Sequence, residues 1–156
     1  MKNPLIVASA FCLALWSCDR TRNSNHGDQN NQGDLQVVPI DKNYTMFSSD
    51  LGAVWLLPLR SFIPLYPEKE IGGITSVGFN DKVIVAYCRH CSLNGLNSQA
   101  WFVLSRDSVS ETVFTKRGDY ENYLLRTSPD EIPVCSPSAM YTSYVITGQP
   151  NCRDTP

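Results

Sequence analysis

A sharp change in composition after residue 18 limits which part of this chain can fold. Residues 19–34 contain no apolar side chain larger than a threonine methyl group. A segment with nothing to bury cannot offset the entropy lost on ordering, so we expect it to be a disordered tether. Apolar side chains resume at Leu35, and residues 35–156 are predicted to form a single folded domain of ordinary size.

The residues before the tether have the layout of a secretory signal peptide. Lys2 supplies a positive charge, and an uncharged apolar segment runs from Leu5 to Trp16. As a helix, this segment is too short to cross the roughly 30 Å hydrocarbon core of a bilayer. The sequence therefore predicts export with processing, which places the folded domain in an oxidising compartment.

The end of the apolar segment resembles a bacterial lipobox. Leu15 and the small residue Ser17 precede Cys18, although Trp16 stands where a smaller residue is usual. The resemblance implies that Cys18 is lipidated with acyl chains such as palmitate and becomes the mature N-terminus. Ordinary signal cleavage and a retained anchor are the alternatives, and either the inner or the outer membrane could hold the anchor. The predicted segments are a signal peptide (1–17), a lipidated cysteine with its tether (18–34) and an exported domain (35–156).

Short β-rich segments predict the fold of the exported domain. The clearest signal is a hairpin whose strands flank the turn-forming pair Asn80-Asp81. Later segments extend the hairpin into an antiparallel meander, and two earlier segments add strands. Proline cannot donate a ladder hydrogen bond, so Pro58, Pro64 and Pro67 are expected on edge strands or in loops. The predicted strands are 35–38, 54–59, 74–79, 82–87, 100–105 and 109–115.

Two helices are predicted after the meander. Asp119 can cap a helix over 120–126 that Ser128-Pro129 ends. Ser136 can cap a second helix with Pro137 at its first position. The predicted fold class is therefore α+β, with an antiparallel meander of about four to six strands and one or two short C-terminal helices.

The order of these elements between Ile74 and Tyr144 resembles a group of small bacterial lipoproteins of unknown function. That resemblance implies an envelope lipoprotein and supplies no activity or catalytic residue. The residues that carry it are Phe79, Asn80, Val83, Ile84, Val85, Trp101, Phe102, Tyr120 and Leu124.

Four cysteines follow in the exported domain: Cys88, Cys91, Cys135 and Cys152. In an oxidising compartment they predict two disulfides, with three possible pairings. The sequence favours Cys88–Cys91 with Cys135–Cys152, because the second bridge closes a loop around the C-terminal helix. Residues three apart in a regular strand point to opposite faces, so a Cys88–Cys91 bridge needs a turn or a bulge.

The same cysteines admit two other interpretations. Cys88-Arg89-His90-Cys91 resembles the active site of thiol-disulfide exchange proteins, in which the first cysteine lies at a helix N-terminus. Here residues 92–98 are predicted to form a loop instead of a helix. Thiol-disulfide exchange is therefore kept as the alternative function. A zinc site with four thiolate ligands is disfavoured, since the spacing of the second cysteine pair is too wide. We expect no metal and no other cofactor.

Other catalytic groups are sparse. His90 is the only histidine of the exported domain, and the carboxylate pairs Glu68/Glu70 and Asp130/Glu131 are predicted to be solvated turn residues. Thirteen Lys and Arg against fifteen Asp and Glu leave a formal charge of -2, which gives no basic surplus for nucleic acid.

The leading hypothesis is a non-enzymatic lipoprotein that is anchored in the bacterial envelope and faces the periplasm or the cell exterior. Its exported domain is expected to bind another envelope protein, as an immunity protein or an inhibitor does. The alternatives are thiol-disulfide exchange by Cys88 and Cys91, and a passive structural component of the envelope.

Overall fold

A computed structural model describes residues 35–152 except Ser49, Phe62, Asn94 and Val109. These residues form nine strands and two helices, and the predicted α+β class is confirmed. The predicted signal peptide (1–17) and the lipidated Cys18 with its tether (18–34) lie outside the described residues.

Two antiparallel sheets form the framework. The first sheet has the order β1-β2-β3-β4 and the second the order β8-β7-β6-β5-β9, so β5 to β8 are the predicted meander. The strands are β1 (Gln36–Pro39), β2 (Thr45–Ser48), β3 (Leu56–Pro58), β4 (Glu70–Gly72), β5 (Ile74–Phe79), β6 (Val83–Leu93), β7 (Leu96–Ser105), β8 (Glu111–Phe114) and β9 (Val134–Cys135). The helices are α1 (Arg117–Thr127) and α2 (Pro137–Thr147).

The meander is longer than the sequence predicts. The turn between β5 and β6 is stabilised as expected, because Asn80 Oδ1 accepts hydrogen bonds from the N–H groups of Lys82 and Val83 at 3.0 and 3.1 Å. The predicted loop over 92–98 is wrong, since β6 and β7 continue to pair as far as Leu93 and Leu96. Gly95, with φ at +78°, allows the close return of the chain.

The first sheet corrects the expectation for Pro58. Its strand, β3, lies inside the sheet between β2 and β4. Proline is tolerated there because β2 pairs with β3 only where Phe47 lies opposite Leu56. Pro58, the last residue of β3, pairs with Glu70 of β4 and with no residue of β2. No hydrogen bond to β2 therefore requires the N–H that proline lacks.

The helix ends follow the sequence in part. α1 begins three residues earlier than predicted, with Lys116 at the N-cap and Asp119 in the first turn, so Asp119 does not cap it. α2 begins as predicted, because Ser136 Oγ accepts a hydrogen bond from the N–H of Ala139 at 3.2 Å. Neither of these two helices, the only ones in the described ranges, is long and apolar enough to cross a membrane.

The second sheet has an apolar cluster on each face, because successive residues of a strand point to opposite sides. Its inner face packs against the first sheet and α2, through fully buried side chains that include Met46, Leu57, Ile84, Phe102 and Met140. Its outer face carries Val83, Val85 and Val103, which α1 covers with Tyr120, Tyr123 and Leu124. The two faces of β6 and β7 therefore contact different partners.

Candidate functional site

A β-bulge brings the first cysteine pair together. Cys88 lies opposite Ala100 and Cys91 opposite Ser98, so the two residues between the cysteines face Gln99 alone. The extra residue turns Cys91 to the same face as Cys88. Their Cα atoms are 5.7 Å apart and the sulfurs form a disulfide. Both cysteines are buried, whereas Arg89 and His90 of the bulge are exposed.

The second disulfide joins Cys135 of β9 to Cys152, with Cα atoms 5.3 Å apart. Because α2 lies between these two residues in the chain, the bridge encloses it in a covalent loop. The pairing is the one that the sequence favours. The four sulfurs that a zinc site would require as thiolates are thus present as two disulfides, and no group of three or more potential ligands is assembled within the described ranges.

The other residues with candidate chemistry are spread over the surface. His90 borders an open cavity together with Glu68 and Glu70. The Asp130 carboxylate lies at the far end of β6, 3.4 Å from Lys82 Nζ, and both of these side chains are largely solvated. Cys18 is outside the described residues, so its surroundings are not part of this geometry.

The outward side of α2 carries no charge. The helix contains no Asp, Glu, Lys or Arg. Met140 anchors it in the core, whereas Val145 and Ile146 are 63% and 77% exposed. Surface helices normally present charged or polar residues to solvent. We call the exposed Val145 and Ile146, with the half-buried Tyr144 beside them, the α2 surface.

An open groove of about 500 Å³ lies on the outer face of the second sheet, beside α1. Tyr87 and Trp101 are directly opposed on β6 and β7, with ring centroids 5.1 Å apart. The Tyr120 ring of α1 lies 6.3 Å from that of Trp101. Burial raises the pKa of Tyr120, and the negative charge of Glu121 adds to this effect. We call this cavity the aromatic groove, and the residues that define it are Tyr87, Gln99, Trp101, Arg117, Tyr120 and Glu121.

One carboxylate connects the two sheets. Glu111 of β8 accepts hydrogen bonds from Tyr44 Oη at 2.9 Å, Arg60 N–H at 2.8 Å and both the N–H and Oγ of Ser61 at 2.6 Å. Burial raises the pKa of Tyr44, and its bond to the Glu111 carboxylate raises it further. Every donor comes from the chain around the first sheet, so this cluster is a junction within the fold.

A second polar junction surrounds Asp41. Its carboxylate accepts hydrogen bonds from the N–H groups of Asn43 and Tyr44 at 2.7 and 2.9 Å, and from Arg106 Nε at 2.9 Å. Arg106 also donates to the Asn80 carbonyl at 2.6 Å. Burial raises the pKa of Asp41, but these donors outweigh it and hold the pKa below its ordinary value. The arrangement fixes the β5–β6 turn against the first sheet.

The sequence does not predict either the α2 surface or the aromatic groove. A signal for the first is visible, because residues 137–147 carry no charge. A partial signal for the second is the Asn-Gly pair at 94–95, which favours a two-residue hairpin turn and would have aligned β6 with β7.

Comparison with known proteins adds no assignment, since no family model, no curated protein and no solved structure matches the chain.

Proposed function

We propose that the protein is a lipoprotein that is anchored in the bacterial envelope through Cys18 and faces the periplasm or the cell exterior. We further propose that it binds another envelope protein through the α2 surface and does not catalyse a reaction. The observation that carries the binding role is that a surface helix with no charged side chain exposes Val145 and Ile146.

The contrast with α1 supports this role for α2. Both helices have 11 residues and lie at the surface, but α1 carries Arg117, Asp119, Glu121 and Arg126. The centres of protein interfaces are depleted in charged residues and enriched in aromatic ones. Of the two helices, α2 has the composition that such a centre needs.

The α2 surface is also held rigidly. Met140 is fully buried beneath it, and Trp55 Nε1 lies 3.4 Å from Ser138 Oγ. The Trp55 ring packs 5.9 Å from that of Tyr141. The Cys135–Cys152 bridge closes the loop around the helix. A preorganised surface loses less conformational entropy on binding, which favours affinity.

The Cys88–Cys91 bridge fits a structural role better than thiol-disulfide exchange. Cys88 lies inside β6 and not at the N-terminus of either helix in the described ranges, a position that would lower the pKa of its thiol. The two cysteines are 0% and 2% exposed, so an exchange partner would have to reach buried sulfurs. Two disulfides in one small domain are typical of exported proteins, which supports the predicted address.

Site-specific crosslinking in cells tests the binding role. A photo-reactive residue replaces Ile146 in the full-length chain, and the matched control replaces Leu125 of α1, which is 71% exposed against 77% for Ile146. We expect a discrete protein adduct from position 146 and none from position 125. When Val145→Glu is added to the variant that carries the photo-reactive residue at position 146, we expect the adduct to be lost. No adduct, or equal adducts from both helices, contradicts the assignment of α2.

Metabolic labelling with a fatty-acid probe tests the anchor separately. Cys18→Ser is expected to lose the label and to release or misprocess the protein. Equal labelling of wild type and variant contradicts the lipoprotein assignment, whatever the crosslinking shows.

A further inference from the structure

The aromatic groove lies on a different face of the second sheet from α2. Its floor is formed by half-buried Tyr87 and Trp101, and Tyr120 of α1 forms one side. The three rings follow one another with interplanar angles of only 31° and 28°. This arrangement makes a row of aromatic planes along an open groove, each plane tilted from the next.

Polar side chains surround these rings. Gln99 is exposed and accepts a hydrogen bond from Tyr87 Oη at 3.2 Å. Arg117 Nε lies 2.6 Å from Glu121 Oε1, with 76% and 52% of the two side chains exposed. Planar amide, guanidinium and carboxylate groups can each bond two neighbouring hydroxyl groups.

Two further polar atoms in the groove are open to solvent. Within the described part of the chain, no hydrogen bond involves Trp101 Nε1 or Tyr120 Oη, and no buried side-chain nitrogen or oxygen there lacks a partner. These two atoms therefore reach solvent. Each can bond a ligand without breaking an existing contact.

We propose that the aromatic groove binds a saccharide built from pyranose rings. A pyranose has one face of C–H bonds and a rim of hydroxyl groups. The C–H face is attracted to the electron-rich faces of aromatic rings. The hydroxyl groups match Gln99, Arg117 and Glu121 on the rim, together with the indole N–H of Trp101.

Other ligands fit these groups less well. The apolar side chains of a peptide would cover Trp101 Nε1 and Tyr120 Oη without bonding them, at a cost in desolvation. A nucleic acid requires cations for its phosphates, but Arg117 is paired with a carboxylate and the chain has a net charge of -2.

Saccharide binding is independent of the proposed protein partner. The test uses the full-length protein purified in detergent. Its retention on peptidoglycan sacculi is compared with its retention on immobilised lipopolysaccharide. This comparison distinguishes a cell-wall glycan from a membrane glycan. A soluble β-1,4-linked N-acetylglucosamine oligomer serves as the probe for titration by calorimetry, which does not depend on the fluorescence of Trp101. We expect saturable binding to at least one of these three.

Three variants assign the binding to the groove. Trp101→Ala is expected to weaken binding by about tenfold or more, and Trp101→Phe by less because it keeps an aromatic plane. Gln99→Ala, at an exposed position where folding is at little risk, is expected to weaken it several-fold. Ile146→Glu on the α2 surface should leave saccharide binding unchanged. Thermal unfolding confirms that each variant is folded.

The proposal is overturned if none of the three saccharides is bound at millimolar concentration. It is also overturned if folded Gln99→Ala and folded Trp101→Phe both bind the saccharide as tightly as wild type does. Displacement of the saccharide by an apolar peptide of higher affinity would overturn it too. Failure of the crosslinking at Ile146 has no bearing on these outcomes.

Discussion

At the scale of single residues, the Asp41 carboxylate is held by donors that stabilise its charged form. Its folded-state pKa lies below the ordinary value, so ionised Asp41 favours folding above the pKa of the unfolded chain. This stabilisation is lost as the pH falls through the folded-state pKa. The side chain is 8% exposed and its partner Arg106 23%, so solvent screens their interaction only in part.

We predict that Asp41→Asn lowers the free energy of unfolding at pH 7 by about 1–3 kcal/mol, because buried donors lose a charged acceptor. The difference from wild type should shrink as the pH falls below the ordinary range of aspartate. Urea unfolding at pH 7 and at stepwise lower pH measures it, with Asp107→Asn as an exposed control. A difference that persists unchanged to pH 2 would contradict the linkage.

Leu51 illustrates a residue whose side chain does not explain its conformation. Its φ of +57° lies in the left-handed region, which costs a non-glycine residue roughly 1–2 kcal/mol. The side chain is 68% exposed, so packing offers little compensation. We predict that Leu51→Gly raises the free energy of unfolding by about 0.5–1 kcal/mol, since relief of strain exceeds the added chain entropy.

Leu51→Ala is the matched control, because it removes the exposed side chain but keeps the strained conformation, and we expect it to give no such gain. Thermal and urea unfolding compare the two variants. If Leu51→Gly is the less stable of the two, the side chain contributes packing that its exposure does not indicate.

At the scale of elements, the bulge in β6 marks the limit of sequence-based prediction. The β-rich segments and turn residues suffice for the meander, and residues 94–95 favour the turn that pairs Leu93 with Leu96. Continued without interruption, that register would place Tyr87 opposite Phe102. The bulge shifts the pairing by one residue, so Tyr87 lies opposite Trp101 instead. A one-residue shift changes which residues share a face, and local propensity does not encode it.

The first sheet was harder to predict for a different reason. β2 and β4 have four and three residues, too few for an alternating pattern to stand out from a loop. Their buried side chains, such as Met46 and Ile71, belong to a core that they share with distant residues of the second sheet such as Phe102. Such contacts become visible only once the second sheet is in place.

The β5–β9 pair depends on a close approach at Gly78. A Cβ added there would overlap the carbonyl oxygen of Pro133, which belongs to rigid backbone. We predict that Gly78→Ala lowers the free energy of unfolding by about 1–3 kcal/mol, because β9 must move away. Gly118 of α1 is the matched control, since a Cβ there meets nothing within 4 Å.

Gly118→Ala is expected to be neutral or to stabilise the protein by up to about 1 kcal/mol, as alanine does in helices. Urea unfolding of the two variants makes the comparison. Equal effects at both positions would show that Gly78 is not packed as closely as described.

At the scale of the whole molecule, the Glu111 junction connects parts of the chain that lie far apart in sequence, and the two disulfides close loops of different lengths. Cys88–Cys91 closes a short loop inside one strand, whereas Cys135–Cys152 spans 17 positions and encloses a helix. In the chain-entropy account, a longer closed loop restricts the unfolded state more. The two bridges should therefore differ in their effect on stability.

We predict that Cys135→Ala/Cys152→Ala lowers the free energy of unfolding by about 3 kcal/mol and Cys88→Ala/Cys91→Ala by about 2 kcal/mol. Denaturant titration of each double variant gives the values, and mass mapping of the non-reduced protein verifies the pairing in wild type. Four free thiols in the native protein would refute the framework. So would a larger loss from the short bridge.

The covalent loop around α2 also affects when its surface becomes available. With both ends of the helix segment fixed, local opening of α2 is disfavoured, so its amide hydrogens should exchange mainly when the whole domain unfolds. Without the bridge, local opening of α2 is opposed only by its packing, through Met140 and the Trp55 contacts. A newly synthesised chain that has not yet reached an oxidising compartment has thiols in place of this closure. If the protein is exported as we propose, the surface that we assign to the partner gains this covalent closure only after export, which would couple its full rigidity to delivery.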